Sequence, residues 1–238
     1  MRLPLGLAIL LVVAGHSQSP RSAARSAVFQ RARLSNAENG LNGELELVQD
    51  SRLTPALRER LWGGGELTPD SPIFRTAPLR NAELRLVRWG GLPVESEPLE
   101  RPLAKLESTR LYGGSRETYL LTVDYSAGFG SYSGPATFLL EVAGGLINWL
   151  QATQTATGKK ERITLAHSLK SVWGIVDVPG TTQKEILQAL CRPVPDSHEF
   201  TLTYLRYYFD GQNWVRLDRS QKGCSDFEDG LPDRSLFP

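Results

Sequence analysis

Thr201-Leu202-Thr203-Tyr204-Leu205-Arg206-Tyr207-Tyr208-Phe209, then Asp210-Gly211-Gln212, then Asn213-Trp214-Val215-Arg216-Leu217-Asp218-Arg219: the reading of this stretch decides the fold. Two runs rich in aromatic and β-branched residues flank an Asp-Gly pair, which is the composition of an antiparallel hairpin whose turn needs positive backbone angles. Alternate side chains of a strand point to opposite faces, so Leu205, Tyr207 and Phe209 share one face and Tyr204, Arg206 and Tyr208 the other. The first of these is the natural core. The second sets an arginine between two tyrosines, which suits either stacking on a sugar ring or covering a protein partner; a cross-strand ladder that only stabilises the hairpin is the alternative. Trp214, on the return strand, is a further candidate contact residue.

The same alternation recurs upstream. Thr118 to Tyr125 places Tyr119, Leu121, Val123 and Tyr125 on one side and Thr118, Thr122 and Asp124 on the other, the pattern of a half-buried strand. Ala136 to Val142, Gly144-Gly145 and Leu146 to Thr153 form a second hairpin. Further strands are expected at Glu44 to Gln49, Glu83 to Trp89, Lys105 to Tyr112, Glu161 to Leu165 and Trp173 to Val178. A short helix fits after Thr54, which caps it, with Pro55 at its first position and Leu57 and Leu61 on one stripe. Leu165, Leu169, Val172 and Trp173 recur at helical spacing and predict another short helical segment. Residues 182 to 191 read two ways. Thr182 and Glu185 make a capping box and favour a helix, while Glu185 to Cys191 also suits an extended strand.

Residues 66 to 80 read as a surface loop, and 91 to 104, with Pro93, Pro98 and Pro102, as a connection. The likeness of Asn42-Gly43-Glu44-Leu45-Glu46-Leu47-Val48 to Asn81-Ala82-Glu83-Leu84-Arg85-Leu86-Val87 reflects shared strand chemistry, because a true repeat holds one period over at least three copies. The fold expected is therefore mostly β: an antiparallel meander, sandwich or partly closed barrel with one to three short helices. Four regions follow: a leader at 1–17, a basic linker at 18–40, an N-terminal subregion at 41–104 and a main β-rich domain at 105–238.

The leader opens with Arg2 and an apolar run from Leu3 to Val13 that ends in small residues, the pattern of a cleaved secretory signal peptide. It is too short to serve as a comfortable transmembrane span, so a secreted or periplasmic protein with no transmembrane anchor is expected. Cys191 and Cys224 are the only cysteines, and in an oxidising compartment they are expected to form one disulfide, contributing roughly 3–4 kcal/mol at best. No metal and no cofactor are expected, since zinc needs further ligands and only His167 and His198 remain beyond the leader.

Lys and Arg number 27 against 26 Asp and Glu, and loss of Arg2 brings the balance to zero. A neutral chain argues against nucleic acid as a partner, because phosphate binding rests on clustered cations. Arg21, Arg25, Arg31 and Arg33 form a basic arm, read as a solvated leader or as an attraction to an anionic envelope surface. Asp226, Glu228, Asp229 and Asp233 form an acidic tail that lacks the spacing of a calcium loop.

Catalytic signals are thin. His167-Ser168, with Asp124 or Asp177 as orienting acids, is the nearest approach to a hydrolytic triad, and sequence adjacency says little about such spatial sets. Gly128-Phe129-Gly130-Ser131-Tyr132-Ser133-Gly134 has neither a nucleophile elbow nor the helix that a phosphate loop must open. It reads as a hairpin connection, or as an exposed ligand loop over residues 126–135 that presents Phe129 and Tyr132. Two function classes stay open. One is a secreted, non-catalytic module binding a cell-envelope glycan or protein through a strand face or the 126–135 loop, with Phe129, Tyr132, Tyr204, Arg206, Tyr208 and Trp214 as contacts. The other is a secreted hydrolase with an unlocated site, for which Asp124 and Glu141 are conceivable acids.

Overall fold

The computed structural model describes residues 26–62, 78–126 and 132–238. Strands make up 53% of these residues and helices 7%, so the fold is mostly β as expected. Fifteen strands form three antiparallel-dominated sheets stacked as layers, with no closed barrel.

Sheet A holds β1 (Ser26–Leu34), β2 (Gly43–Asp50), β3 (Glu83–Arg88) and β4 (Leu92–Pro98) in that order. Within the stretch expected to be a linker, 18–40, residues 26–34 form β1 instead. Its arginines alternate with smaller inward residues: Arg31 reaches Glu46 at 3.3 Å and Glu44 at 3.6 Å, while Ala32 and Leu34 face the core. Composition suggested a solvated arm, whereas the period of two is that of a strand. β4 likewise replaces the expected connection at 91–104, with Pro93 and Pro98 tolerated because it is an edge strand. The two similar segments pair with each other, Leu45 opposite Leu86 and Leu47 opposite Leu84. Both supply leucines to one core face, which accounts for their likeness.

Between β1 and β2 lies α1 (Asn36–Asn39), a single turn capped by Ser35 and closed by Gly40 at φ 71°. Between β2 and β3 lies α2 (Pro55–Leu61), capped by Thr54 as expected, with Leu57 and Leu61 packed beside Leu53 and Leu103.

Sheet B holds β5 (Ala104–Thr109), β6 (Thr118–Asp124), β7 (Pro135–Ala143), β8 (Leu146–Trp149) and β11 (Thr164–Ala166). It is the middle layer. Leu106, Tyr119, Leu121, Val123, Leu140 and Val142 meet the leucines of sheet A, while Leu120 and Leu139 face the third sheet. β6 is consequently covered on both faces and not half-buried as its alternation implied; its polar side is packed too, with Thr122 and Thr137 sharing a 2.8 Å hydrogen bond. The core shared by sheets A and B also joins residues on either side of position 104.

Sheet C runs β10 (Lys160–Arg162), β9 (Gln151–Gln154), β15 (Trp214–Lys222), β14 (Phe200–Phe209), β13 (Lys184–Pro193) and β12 (Ser171–Asp177). One long hairpin links it to sheet B. Its arms, β8–β9 and β10–β11, change sheets at Leu150 and Ile163, which bond to each other across the kink at 2.9 Å. β13 corrects the capping-box reading. Buried on both faces from Glu185 to Cys191, it has lost the alternation that distinguishes a strand. The helical segment expected around Leu165 to Trp173 is also absent: Leu165 pairs with Thr137 of β7, and Ser168 and Ser171 close a turn into β12.

The outer face of sheet C is roofed by the C-terminal segment, whose Phe227, Leu231 and Phe237 pack on Leu187, Ala189, Leu202 and Tyr204. The expected disulfide, Cys191–Cys224, pins this segment down with Cα atoms 5.4 Å apart. Lys170 pairs with Asp226 alongside it. Among the described residues no helix is long and apolar enough to cross a membrane.

Candidate ligand-binding site

The expected aromatic surface does not assemble in the open. Tyr204 is buried beneath Phe237, ring centroids 5.3 Å apart. Arg206 is engaged by Glu185, which also holds Arg234 at 2.7 Å, and donates to the Pro238 carbonyl oxygen at 3.2 Å. Tyr208 is half-buried, its ring 5.2 Å from the Arg206 guanidinium. Trp214 is buried between sheets B and C, where its indole N–H donates to the Tyr112 hydroxyl at 2.9 Å. Each is spoken for because the C-terminal segment covers one face of the hairpin and sheet B part of the other. Tyr132 is exposed and lies parallel to Phe200 at 6.3 Å; Phe129 falls outside the described residues.

Nor do the conceivable catalytic groups converge. Asp124 and Glu141 sit at opposite ends of the β6–β7 pairing, with Glu141 bonded to Thr118, six residues from Asp124 along β6. At about 3.3 Å per residue the two acids stand roughly 20 Å apart, twice the reach of a glycosidic carboxylate pair. Glu141 is instead a structural acid, buried and held by Arg116 and Thr118. Burial first, then the Glu141 carboxylate, push the Tyr112 hydroxyl far above its ordinary value, which keeps it neutral beside Trp214. His167 and His198 are both exposed, and Asp177 is paired with Lys184 on the surface at 3.1 Å.

The site that sequence reasoning missed lies on the inner face of sheet C. Along β13, Ile186, Gln188, Leu190 and Arg192 share this face; β14 adds Thr203, Leu205 and Tyr207, and β15 adds Trp214, Arg216, Asp218 and Ser220. The apolar end, around Ile186, Tyr207 and Trp214, is packed under sheet B. Where that cover ends, the face turns polar and a pocket of about 590 Å³ opens, closed on its far side by Glu161, Arg162 and Thr164 from the crossing hairpin.

Two features make the pocket a preformed polar site. Arg216 is fixed by Asp218, through Nε to Oδ1 at 2.9 Å and Nη2 to Oδ2 at 3.1 Å, and by Glu161 at 2.9 Å. Gln188, only 1% exposed, has a buried Oε1 with no hydrogen-bond partner, and it stands cross-strand from Trp173, whose buried indole N–H is also unpartnered. Tyr207 borders the same space with its hydroxyl pushed up to about 12, chiefly by burial, so it remains a neutral donor at physiological pH. Glu161 is held below its usual carboxylate value by Lys159 first and Arg216 second. The sequence held one usable signal: continuing the period of two from Trp214 through Arg216 and Asp218 to Ser220 shows a core face becoming polar in mid-strand.

A smaller pocket of about 390 Å³ lies between α2 and β5, lined by Phe29, Arg58, Trp62 and Lys105 and largely apolar. Among the described residues no cluster of three or more His, Cys, Asp or Glu side chains forms a metal-ligand set. Comparison with known protein families, with curated proteins and with solved structures finds no match to this chain.

Proposed function

We propose that this chain is a secreted, non-catalytic module that binds a carbohydrate in the polar pocket of sheet C. The observation that carries the reading is Gln188, a buried amide oxygen lacking a partner at the edge of a preformed polar pocket. Leaving such an acceptor unpaired is costly, and a rotation of the amide toward the pocket would let a ligand hydroxyl satisfy it. The pocket wall alternates donors and acceptors, namely Thr203, Ser220, Tyr207, Arg216, Asp218 and Glu161, which suits a polyol whose every hydroxyl both donates and accepts. Its concavity fits a small polar group better than a protein surface, which needs a broad face of about 800 Å² per partner. A leader read as an export signal, together with one disulfide, agrees with a cell-envelope or extracellular glycan.

The geometry favours binding over hydrolysis. Cleaving a glycosidic bond needs one carboxylic acid kept protonated. Glu161 and Asp218 both sit on Arg216, and Glu161 is driven toward its ionised form.

The test is a screen of immobilised oligosaccharides with the native protein and with Gln188→Leu, whose folding is checked by its melting temperature. A subset of glycans should bind, the leucine variant should bind at least about tenfold more weakly, and the bound sugars should be recovered uncut. Absence of any glycan binding, undiminished binding by a folded Gln188→Leu, or released reducing ends would each overturn the reading.

A further inference from the structure

We infer that the pocket between α2 and β5 binds a small hydrophobic acid, an aliphatic or aromatic carboxylate whose apolar body lies against Phe29, Trp62 and Leu103 and whose charge is taken by Arg58. The site shares no residue with the sheet C pocket and stands apart from the carbohydrate reading. At about 390 Å³ it falls within the range of small-molecule sites, and its walls are mainly apolar and aromatic with a few polar groups set among them.

Those polar groups are unequally matched. Arg58 and Lys105 line the pocket against one carboxylate, Glu59, and among the described residues neither cation makes an ion pair. Arg58 is half-buried, its guanidinium carbon 3.2 Å from the centroid of the Phe29 ring. Its Nη1 donates to the Gln49 side-chain oxygen at 3.0 Å, and the Gln49 amide nitrogen donates to the Ala104 carbonyl oxygen at 2.7 Å. A buried glutamine thus ties the arginine to the β5 backbone and, with the ring, fixes its position before any ligand arrives. Arg58 Nε is enclosed and has no hydrogen-bond partner. Burial alone lowers the pKa of this guanidinium from its ordinary value, with no carboxylate acting against it. The group stays charged even so, and a partly desolvated charge without a counter-ion is costly. A carboxylate supplies that counter-ion, and the apolar walls select an acid that brings hydrocarbon with it. Lys105 adds a second positive charge, its Nζ 4.1 Å from the centroid of the Trp62 ring.

Titration calorimetry of the full chain with octanoate and with phenylpropionate, each set against its alcohol, reads the acid preference directly. Octanol and phenylpropanol keep the hydrocarbon and remove the charge. At least one acid should bind about tenfold or more tighter than its alcohol, the gap should narrow as salt is raised, and Arg58→Gln should remove most of it. The acid that binds tighter identifies the apolar body as chain or ring. Because Arg58 also supports the corner where α2 meets β5, the folding of Arg58→Gln is checked by its melting temperature, and a second measurement needs no variant. A shift map of the native protein under the preferred acid should centre on the Trp62 indole N–H and the Phe29 ring and leave Gln188 and Thr203 unmoved. Equal affinity for acids and alcohols, no heat with any probe, a preference undiminished in a folded Arg58→Gln, or shifts centred away from Trp62 would each overturn the inference and leave the carbohydrate reading untouched.

Discussion

Asp50 shows how one side chain fixes the geometry of a whole corner. At the end of β2 it accepts from the Arg52 guanidinium, from the Arg52 backbone N–H at 3.0 Å and from the Arg80 backbone N–H at 3.0 Å, so it gathers the chain on both sides of α2. Arg52 above all lowers its carboxyl far beneath the ordinary 3.8, with burial opposing. A folded-state pKa below the unfolded value means that the unfolded chain takes up the proton first. The stabilisation is complete above the unfolded value and drains away as pH falls below it toward the depressed folded value. Melting temperature should therefore drop through the acid range in the native protein, and Asp50→Asn should be less stable at neutral pH and show a flatter acid limb. Parallel acid limbs for the two proteins would contradict this role.

Strand β6 is where the layered arrangement makes its sharpest demand. Leu120 and Leu121 are consecutive, point to opposite faces and are 7% and 0% exposed, because sheet A covers one side and sheet C the other. Leu120→Ala and Leu121→Ala should each lower unfolding stability by about 2–5 kcal/mol in urea titrations. In a half-buried strand one of the two would be nearly free of cost. Gly134, just before β7, is equally constrained, since a Cβ there would sit 1.9 Å from the His167 carbonyl oxygen; Gly134→Ala should cost stability and disturb the β7–β11 pairing, read as faster amide exchange at Leu165. Such burial also explains what the sequence could and could not convey. Strands bounded by glycine turns or the Asp-Gly pair, such as β7, β8 and β14, were legible because the turn residues fix their ends. β13 was not, since Ile186-Leu187-Gln188-Ala189-Leu190 buried on both sides shows no period of two, and β1 was hidden by its arginines. The binding site was legible least of all. Tyr204, Arg206 and Tyr208 have the composition of a contact face, yet nothing local announces that residues 227–237 fold back over them.

The described residues form a stack of three sheets and a C-terminal roof, with the disulfide fastening the last layer. Reduction should lower unfolding stability by roughly 3–4 kcal/mol, consistent with a closed loop of 33 residues. It should also speed exchange of the Phe227 amide, which bonds to the Leu169 carbonyl at 3.1 Å, well before sheet B loosens. Uniform loosening of all three sheets would contradict the layered account. This architecture also creates the site: sheet C extends past the cover of sheet B, and the uncovered part of its inner face carries Thr203, Asp218 and Ser220 instead of core residues, with the buried Gln188 at its inner margin. The most direct test of that assignment is an amide and side-chain shift map of the native protein titrated with an oligosaccharide that binds in the immobilised-glycan screen. The account predicts the largest changes at the Gln188 side-chain amide and at Arg192, Thr203 and Ser220, with the outer-face Tyr208 and the exposed Trp89, in the turn between β3 and β4, unmoved. Changes centred on Tyr208, on Trp89 or on the α2 pocket, or none at any concentration, would contradict it.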